Sequence, residues 1–332
     1  MKFRIKTPSR IHMSLIDLNG SLRRIDGGFG MALDWPNVVI GFEDIPQGGI
    51  KFEGDANHKE LVDNLVKRFC ENYQVEIPNV RIVVEKTIPE HIGLGSKTQF
   101  LLAIARGLGK ICGIKYEISE MANLVKRGGT SGIGYMAFDR GKFIVDLGHS
   151  YGKQKEKETF LPSSASPAPP AMPLVQIRTP ELWRVLLVSL NVKQGANNEQ
   201  EINIFQDRCP VSRRDVEKIA HRVLMQLIPA IKKGDLKQMA KSIYFFNNHG
   251  FKKIELELQH DYVRHVVNHL YKKYQVPAGM SSFGPIVYGI FETEEIAQEA
   301  AEEMRKKLES DLDSTCGEVF LVTPNNKGHQ IF

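Results

Sequence analysis

The chain has 332 residues, room for two domains with cores of their own, and its 42% hydrophobic and 25% charged residues are those of a water-borne globular protein. No uncharged apolar run approaches the roughly 18 residues of a membrane span, and the first residues lack the apolar centre of a secretion signal, so the expectation is a cytoplasmic protein without membrane contact. A net charge of +5 with pI near 8.8 rests on nearly balanced acids and bases, which suits a small anionic substrate and gives no reason to expect nucleic acid.

The opening segment MKFRIKTPSRIHM alternates like a strand. It runs into residues 9–33, SRIHMSLIDLNGSLRRIDGGFGMAL, which read as a hairpin bending at Asn19-Gly20. This hairpin is dense in polar groups: Arg10, His12, Asp17, Asn19, Arg23, Arg24 and Asp26. An arginine fork suits phosphate or carboxylate, and a carboxylate can serve as a base or orient a metal-bound substrate. Next, HKELVDNLVKRFCENY predicts a helix with Leu61, Leu65, Val66 and Phe69 on one face, and RIVVEKTIP predicts a strand.

The strand ends in IPEHIGLGSKTQ, residues 88–99, and the apolar helix SKTQFLLAIARGLGKICG follows. A strand, a proline, the glycines Gly93 and Gly95 and then a helix start near Ser96 make a physical anion site. The glycines admit a ligand to the backbone, while the free N–H groups and the positive helix end favour phosphate. It is not the P-loop of nucleoside triphosphatases, because the spacer before a Gly-Lys-Thr end is missing.

Ser119 is expected to cap a short helix through Lys126. RGGTSGIG, residues 127–134, is a second glycine loop whose backbone, with Thr130 and Ser131, can cradle an anion or a sugar. YMAFDRGKFIVDLG then reads as a hairpin turning near Asp139 to Gly141. Residues 151–173, YGKQKEKETFLPSSASPAPPAMP, have no apolar periodicity and mark a domain boundary or a long functional loop.

Beyond it come the strand WRVLLVSLN, helical patterns over 213–233, 235–247 and 255–274, the third glycine loop GMSSFGPIVYG, a helix near 294–309 and the strand GEVFLVT. The order is that of an α+β fold with domains at 1–173 and 174–332. Cys70, Cys112, Cys209 and Cys316 are scattered without metal-ligand or disulfide spacing.

The motifs RIHMSLIDLNGSLRRIDGGFGMAL, IPEHIGLGSKTQ, RGGTSGIGYMAF, FIVDLGH, FLPSSASPAPP and SSFGPIVYG together resemble the β-ribofuranosylaminobenzene 5′-phosphate synthase family of the GHMP kinase superfamily. The likeness runs from Arg10 to about Gly289 and makes the proline-rich segment a family motif. It implies a GHMP-kinase-like two-domain α+β fold: an N-terminal domain with a left-handed β-α-β unit, a C-terminal ferredoxin-like domain and substrate between them. It also implies chemistry other than phosphoryl transfer. Such synthases join phosphoribosyl diphosphate to 4-hydroxybenzoate or 4-aminobenzoate, expel diphosphate and carbon dioxide, and form a β-C-riboside 5′-phosphate in methanopterin biosynthesis, with Mg²⁺ as cofactor and a homodimer as the assembly.

On this likeness Gly93, Gly95, Ser96, Lys97 and Thr98 hold the diphosphate, Lys97 standing where the related kinases place a metal-binding serine. Arg24, with Lys97 and Mg²⁺, neutralises the leaving charge. Asp17, or else His12, is the base for the acceptor's para group. Asp26 binds ribose hydroxyls or magnesium, or is a turn residue. Gln99, Gly128, Gly129 and Thr130 are further binding residues, and Ser281 and Ser282 complete the pocket from the second domain. The sequence departs from the family pattern at Arg23, where a glycine is usual, at Met13-Ser14, where an aromatic-glycine pair is common, and in the loosely matching GANNEQEINIF. Two other readings compete: an ATP-dependent small-molecule kinase of the same superfamily and an RNA-binding protein. Interleaved acids and bases speak against the latter.

Overall fold

The computed structural model describes residues 1–192, 198–311 and 317–332, so Cys316 and the start of GANNEQEINIF lie outside the described residues. In chain order the first half comprises β1 (Lys2–Lys6), β2 (Ser9–Asp17), β3 (Arg24–Leu33), β4 (Val39–Asp44), β5 (Ile50–Glu53), α1 (Ala56–Tyr73), β6 (Val80–Lys86), α2 (Ser96–Ile111), α3 (Ile118–Leu124), α4 (Ile133–Arg140), β7 (Phe143–Asp146), β8 (His149–Ser150) and β9 (Pro173–Ile177). The remainder comprises β10 (Arg184–Ser189), α5 (Asn198–Arg208), α6 (Arg213–Arg222), α7 (Ile228–Lys233), α8 (Leu236–Asn247), α9 (Gly250–Glu257), α10 (Asp261–Tyr274), β11 (Ala278–Met280), β12 (Ile286–Phe291), α11 (Glu294–Asp311), β13 (Glu318–Val322) and β14 (Gln330–Ile331).

Local chemistry explains most of these elements. Helix α1 starts where the Asp55 carboxylate accepts from the Asn57 N–H, and it buries Val62, Leu65, Val66 and Phe69 along one stripe. Helix α3 opens with a capping box between Glu117 and Glu120, so the start expected at Ser119 moves back to Ile118. The hairpin expected near Asp139 to Gly141 is instead helix α4 followed by β7. Ile133, Met136 and Ala137 recur at helical spacing and are buried, and Gly141, with φ of +61°, turns the chain out of the helix. The long pattern over 213–233 divides at a π-helical turn, Val223–Leu227, just before Pro229, which has no N–H to give the ladder. The pattern over 255–274 divides into α9 and α10, with His260 capping the second.

Three sheets result among the described residues. The first has strand order β14-β1-β4-β6-β5, and its β5 and β6 run parallel across α1, a β-α-β unit. The second has the order β2-β3-β7-β9, with β8 on the end of β3. The third, β11-β12-β10-β13, is antiparallel and has the ferredoxin-like order. Strand β9 begins at Pro173, the last residue of the expected N-terminal domain, and still pairs with β7. Strand β14 returns to pair with β1.

Side chains alternate across the third sheet. Val185, Leu187, Tyr288 and Ile290 join a core shared with both N-terminal sheets and with α6 to α8, while Leu186, Val188, Val287 and Phe291 pack on α10 and α11. A third cluster, with Leu15, Leu18, Phe205, Phe251 and Phe283, lies where β2 meets α5 and α9. Among the described residues no helix is long and apolar enough to cross a membrane.

Candidate active site

The three glycine loops line one cleft of about 600 Å³, and the first and third are stitched to β2. Gly93 and Gly95 have φ of +91° and +83°, and a Cβ at Gly93 would lie 2.2 Å from the Ser281 carbonyl oxygen. Only glycine permits that approach. The Ser281 hydroxyl donates to the Gly93 carbonyl at 2.6 Å and accepts from the His12 N–H at 2.9 Å. Ser282 N–H in turn donates to the His12 carbonyl, and Arg10 donates to the Gly93 carbonyl through its guanidinium and to the Leu94 carbonyl through its N–H. Ser281→Ala leaves the buried His12 N–H without this partner and the Gly93 carbonyl with Arg10 alone. It is expected to lower stability by about 1–3 kcal/mol, read from the urea midpoint.

Gly95 begins α2 without a side-chain cap, so the first-turn N–H groups are left for a ligand. Lys97 is exposed at the rim. Its pKa is lowered, chiefly by partial desolvation and then by Arg127, with Glu90 pulling the other way. Burial and the neighbouring Arg68 also lower the pKa of Arg127, whose buried Nε has no hydrogen-bond partner among the described residues. Two cations held close and short of partners are a standing demand for an anion.

A second group of charges lies around Arg10. Burial brings Arg10 down to about 10 against the pull of Glu201. His12 is held well below its ordinary value by burial, then by Arg10 and Lys252, and its Nδ1 has no partner among the described residues. Burial, reinforced by Glu255 and opposed by Arg10, pushes Glu201 up to about 7. Glu255 forms an ion pair with Lys252, both side chains buried.

The loop from Arg127 to Gly134 is fixed from behind. Asp146 accepts from the Gly132 and Gly148 N–H groups, both at 2.9 Å, and from the Ser131 hydroxyl at 3.3 Å. Burial nevertheless raises its pKa to about 7. Thr130 donates to the Leu161 carbonyl and accepts from Lys157, whose ammonium also reaches Asp26 at 3.0 Å. His149 contacts the same Asp26 oxygen at 2.7 Å.

His12, Gly93, Gly95, Ser96, Lys97, Thr98, Gly128, Thr130 and Ser282 line the cleft. Ser281 and Gln99 stand behind it: the Gln99 amide donates to the Gly134 carbonyl, tying α2 to α4. Gly129 packs against Ser166, whose hydroxyl donates to its carbonyl. Asp17, Arg24 and Asp26 are not among the lining residues. Asp17 accepts from the Asn19 and Gly20 N–H groups, Arg24 donates to the Leu147 and Gly148 carbonyls, and Asp26 is sealed in its ion pairs.

Residues that motif reading passed over are Arg127, Glu201, Lys252 and Glu255. Of these, Arg127 opens the second glycine loop and Glu201 falls within GANNEQEINIF, while Lys252 and Glu255 carried no sequence signal. Among the described residues no group of three or more His, Cys, Asp or Glu side chains could hold a metal by itself. The oxygen donors that the cleft offers near the α2 end are Ser96, Thr98 and Glu90.

Residues 60–140 match the GHMP kinases N terminal domain and residues 227–310 the GHMP kinases C terminal family. A solved homoserine kinase from Cytophaga hutchinsonii superposes with a TM-score of 0.71 over 100% of this chain and 97% of its own, at 14% identity, a likeness of fold. The β-ribofuranosylphenol 5′-phosphate synthase of Methanocaldococcus jannaschii is 38% identical across 99% of both chains. The enzyme of that name from Methanothermobacter thermautotrophicus is 39% identical over 86% of this chain and 88% of its own. With that identity along nearly its whole length, the chain belongs to the β-ribofuranosylphenol 5′-phosphate synthase family, on the GHMP kinase fold.

Proposed function

We propose that this protein is a decarboxylating phosphoribosyltransferase that joins phosphoribosyl diphosphate to 4-hydroxybenzoate, releasing diphosphate and carbon dioxide and leaving a β-C-riboside 5′-phosphate. One observation carries the proposal beyond kinship: the uncapped N-terminus of α2 faces the same cleft as Lys97 and Arg127, while Leu15, Phe205 and Phe283 give that cleft an apolar wall. Diphosphate suits the first surface and an aromatic ring the second. The relatives' name describes a ribofuranosylphenol, which supports 4-hydroxybenzoate over 4-aminobenzoate as acceptor.

In this reading Lys97, Arg127 and the α2 N–H groups take up the charge that builds on the leaving diphosphate. The apolar wall keeps water from the ribose carbon while it carries oxocarbenium character. Ser96 and Thr98, with Glu90 nearby, would hold a Mg²⁺ brought in with the diphosphate, and the ion would supply charge neutralisation to the leaving group. Serine and threonine hydroxyls at Ser96 and Thr98 then orient the group from the chain's side. A place in methanopterin biosynthesis and a homodimeric state join the proposal on family likeness.

The test is release of labelled carbon dioxide from carboxyl-labelled 4-hydroxybenzoate with phosphoribosyl diphosphate and Mg²⁺, without ATP. Release that depends on phosphoribosyl diphosphate supports the reading. No release, with ATP consumed on a panel of metabolites, would favour kinase chemistry. Lys97→Ala removes one charge-assisted contact worth about 1.5–3 kcal/mol and is expected to raise the KM for phosphoribosyl diphosphate by about tenfold or more. An unchanged KM would take Lys97 out of the diphosphate site.

A further inference from the structure

The acceptor's para hydroxyl must lose its proton for the ring carbon opposite to attack, and the cleft offers few groups able to take it. His12 is held neutral, but its basicity is suppressed by burial between Arg10 and Lys252. Glu255 is committed to Lys252 in a buried ion pair. Glu201 is different. It sits on α5 four residues before Phe205, so carboxyl and ring share one helix face, and both line the cleft.

The wall they join is firmly packed. Phe205 lies 4.6 Å from Phe251 between ring centroids, and Phe251 meets Phe283 edge-on at 5.9 Å. Phe205 and Phe283 are almost fully buried, and so is Leu15 of β2, which lines the same cleft. A flat ring of modest size fits such a surface, and a carboxyl one turn away on the same helix is placed to meet its polar end.

We propose that Glu201 is the catalytic base of the acceptor site, taking the para-hydroxyl proton of an aromatic acid seated against Phe205 and Phe283. The assignment rests on the synthase reading above. As the O–H bond breaks, its proton goes to the Glu201 carboxylate and its electron pair moves through the ring to the carboxyl-bearing carbon. That carbon bonds to ribose C1, and the C1–O bond electrons leave on diphosphate. The bond to the carboxyl group then breaks, carbon dioxide departs, its electron pair restores aromaticity, and Glu201 returns the proton to the phenol oxygen. No oxidant or reductant is needed.

The charged groups that act on Glu201 are Arg10 from β2 and Glu255 from α9, the latter itself paired with Lys252. Burial and Glu255 together set its pKa at about 7, near working pH, where a base combines availability with strength.

The experiment compares wild type with Glu201→Gln in carbon dioxide release across pH. In the variant kcat is expected to fall about 100-fold, with the KM for phosphoribosyl diphosphate unchanged, and the acid limb of the wild-type kcat/KM profile near pH 7 is expected to vanish. Activity within about threefold of wild type, or a persisting acid limb, overturns the assignment. So does a rate loss matched by a raised KM for phosphoribosyl diphosphate, which would make Glu201 a structural residue. If wild type itself releases no carbon dioxide, the synthase reading has failed and this base falls with it. Release by wild type and variant alike sinks the base alone.

Discussion

Gly93→Ala is expected to cost about 3 kcal/mol of stability or more, and with it the geometry of the proposed diphosphate site. The added Cβ would meet the Ser281 carbonyl oxygen at 2.2 Å, a backbone atom that cannot rotate away, and the residue would have to keep a φ of +91°. A left-handed L-residue costs about 1–2 kcal/mol and overpacking about 1–3 kcal/mol more. Gly113→Ala is the control. Its φ is also positive, at +70°, but nothing lies within 4 Å, so only strain of about 1 kcal/mol is expected. Urea midpoints for the two variants measure the difference. Equal midpoints would mean that the contact between the first and third glycine loops carries no stability.

Lys157→Met should prove as severe, at about 3–5 kcal/mol by the same measurement, because it leaves the Asp26 carboxylate buried without its ammonium partner and with the His149 contact alone. Methionine keeps the aliphatic bulk, so the loss reads the charge. Adding Asp26→Asn should recover part of it, since asparagine tolerates the φ of +68° at this position and buries no charge. A Lys157→Met midpoint equal to wild type would show that His149 alone satisfies Asp26. The same lysine holds the Leu161 carbonyl, next to Pro162, Ser163 and Ser164 on the cleft wall, so phosphoribosyl diphosphate affinity should fall with stability.

How much of this was legible depended on how local the information was. The α2 loop could be read because strand, glycine pair and helix start lie within a dozen residues, and each has its own physical signature. Helix α4 could not: aromatic residues beside Asp139-Arg140-Gly141 mimic a hairpin, and only packing against α2 and β3 makes the run a helix. Lys157 sits in a run of alternating charges, which ordinarily means a solvated surface. Its burial follows from a carboxylate on a distant strand. Residue type alone singled out Asp17 and Arg24, but in the folded chain Asp17 is used in a turn and Arg24 on loop carbonyls. The charges around Arg10 come from β2, α5 and α9, segments remote in sequence, and no spacing rule joins them.

The core shared by the two halves has a consequence for how substrates enter. Phe29 of β3 packs at a tilt against Phe246 of α8, 4.9 Å between ring centroids, and one face of the ferredoxin-like sheet is buried in the same apolar mass as the N-terminal strands. A clamshell motion would tear that mass open and expose it to water at every turnover. Catalytic gating by rigid-body rotation is therefore too costly, and the halves form one cooperative unit. Residues 151–170 are pinned to the same body through Lys157, Leu161 and Ser166, so the cleft they border is preformed and substrates enter it without a domain movement.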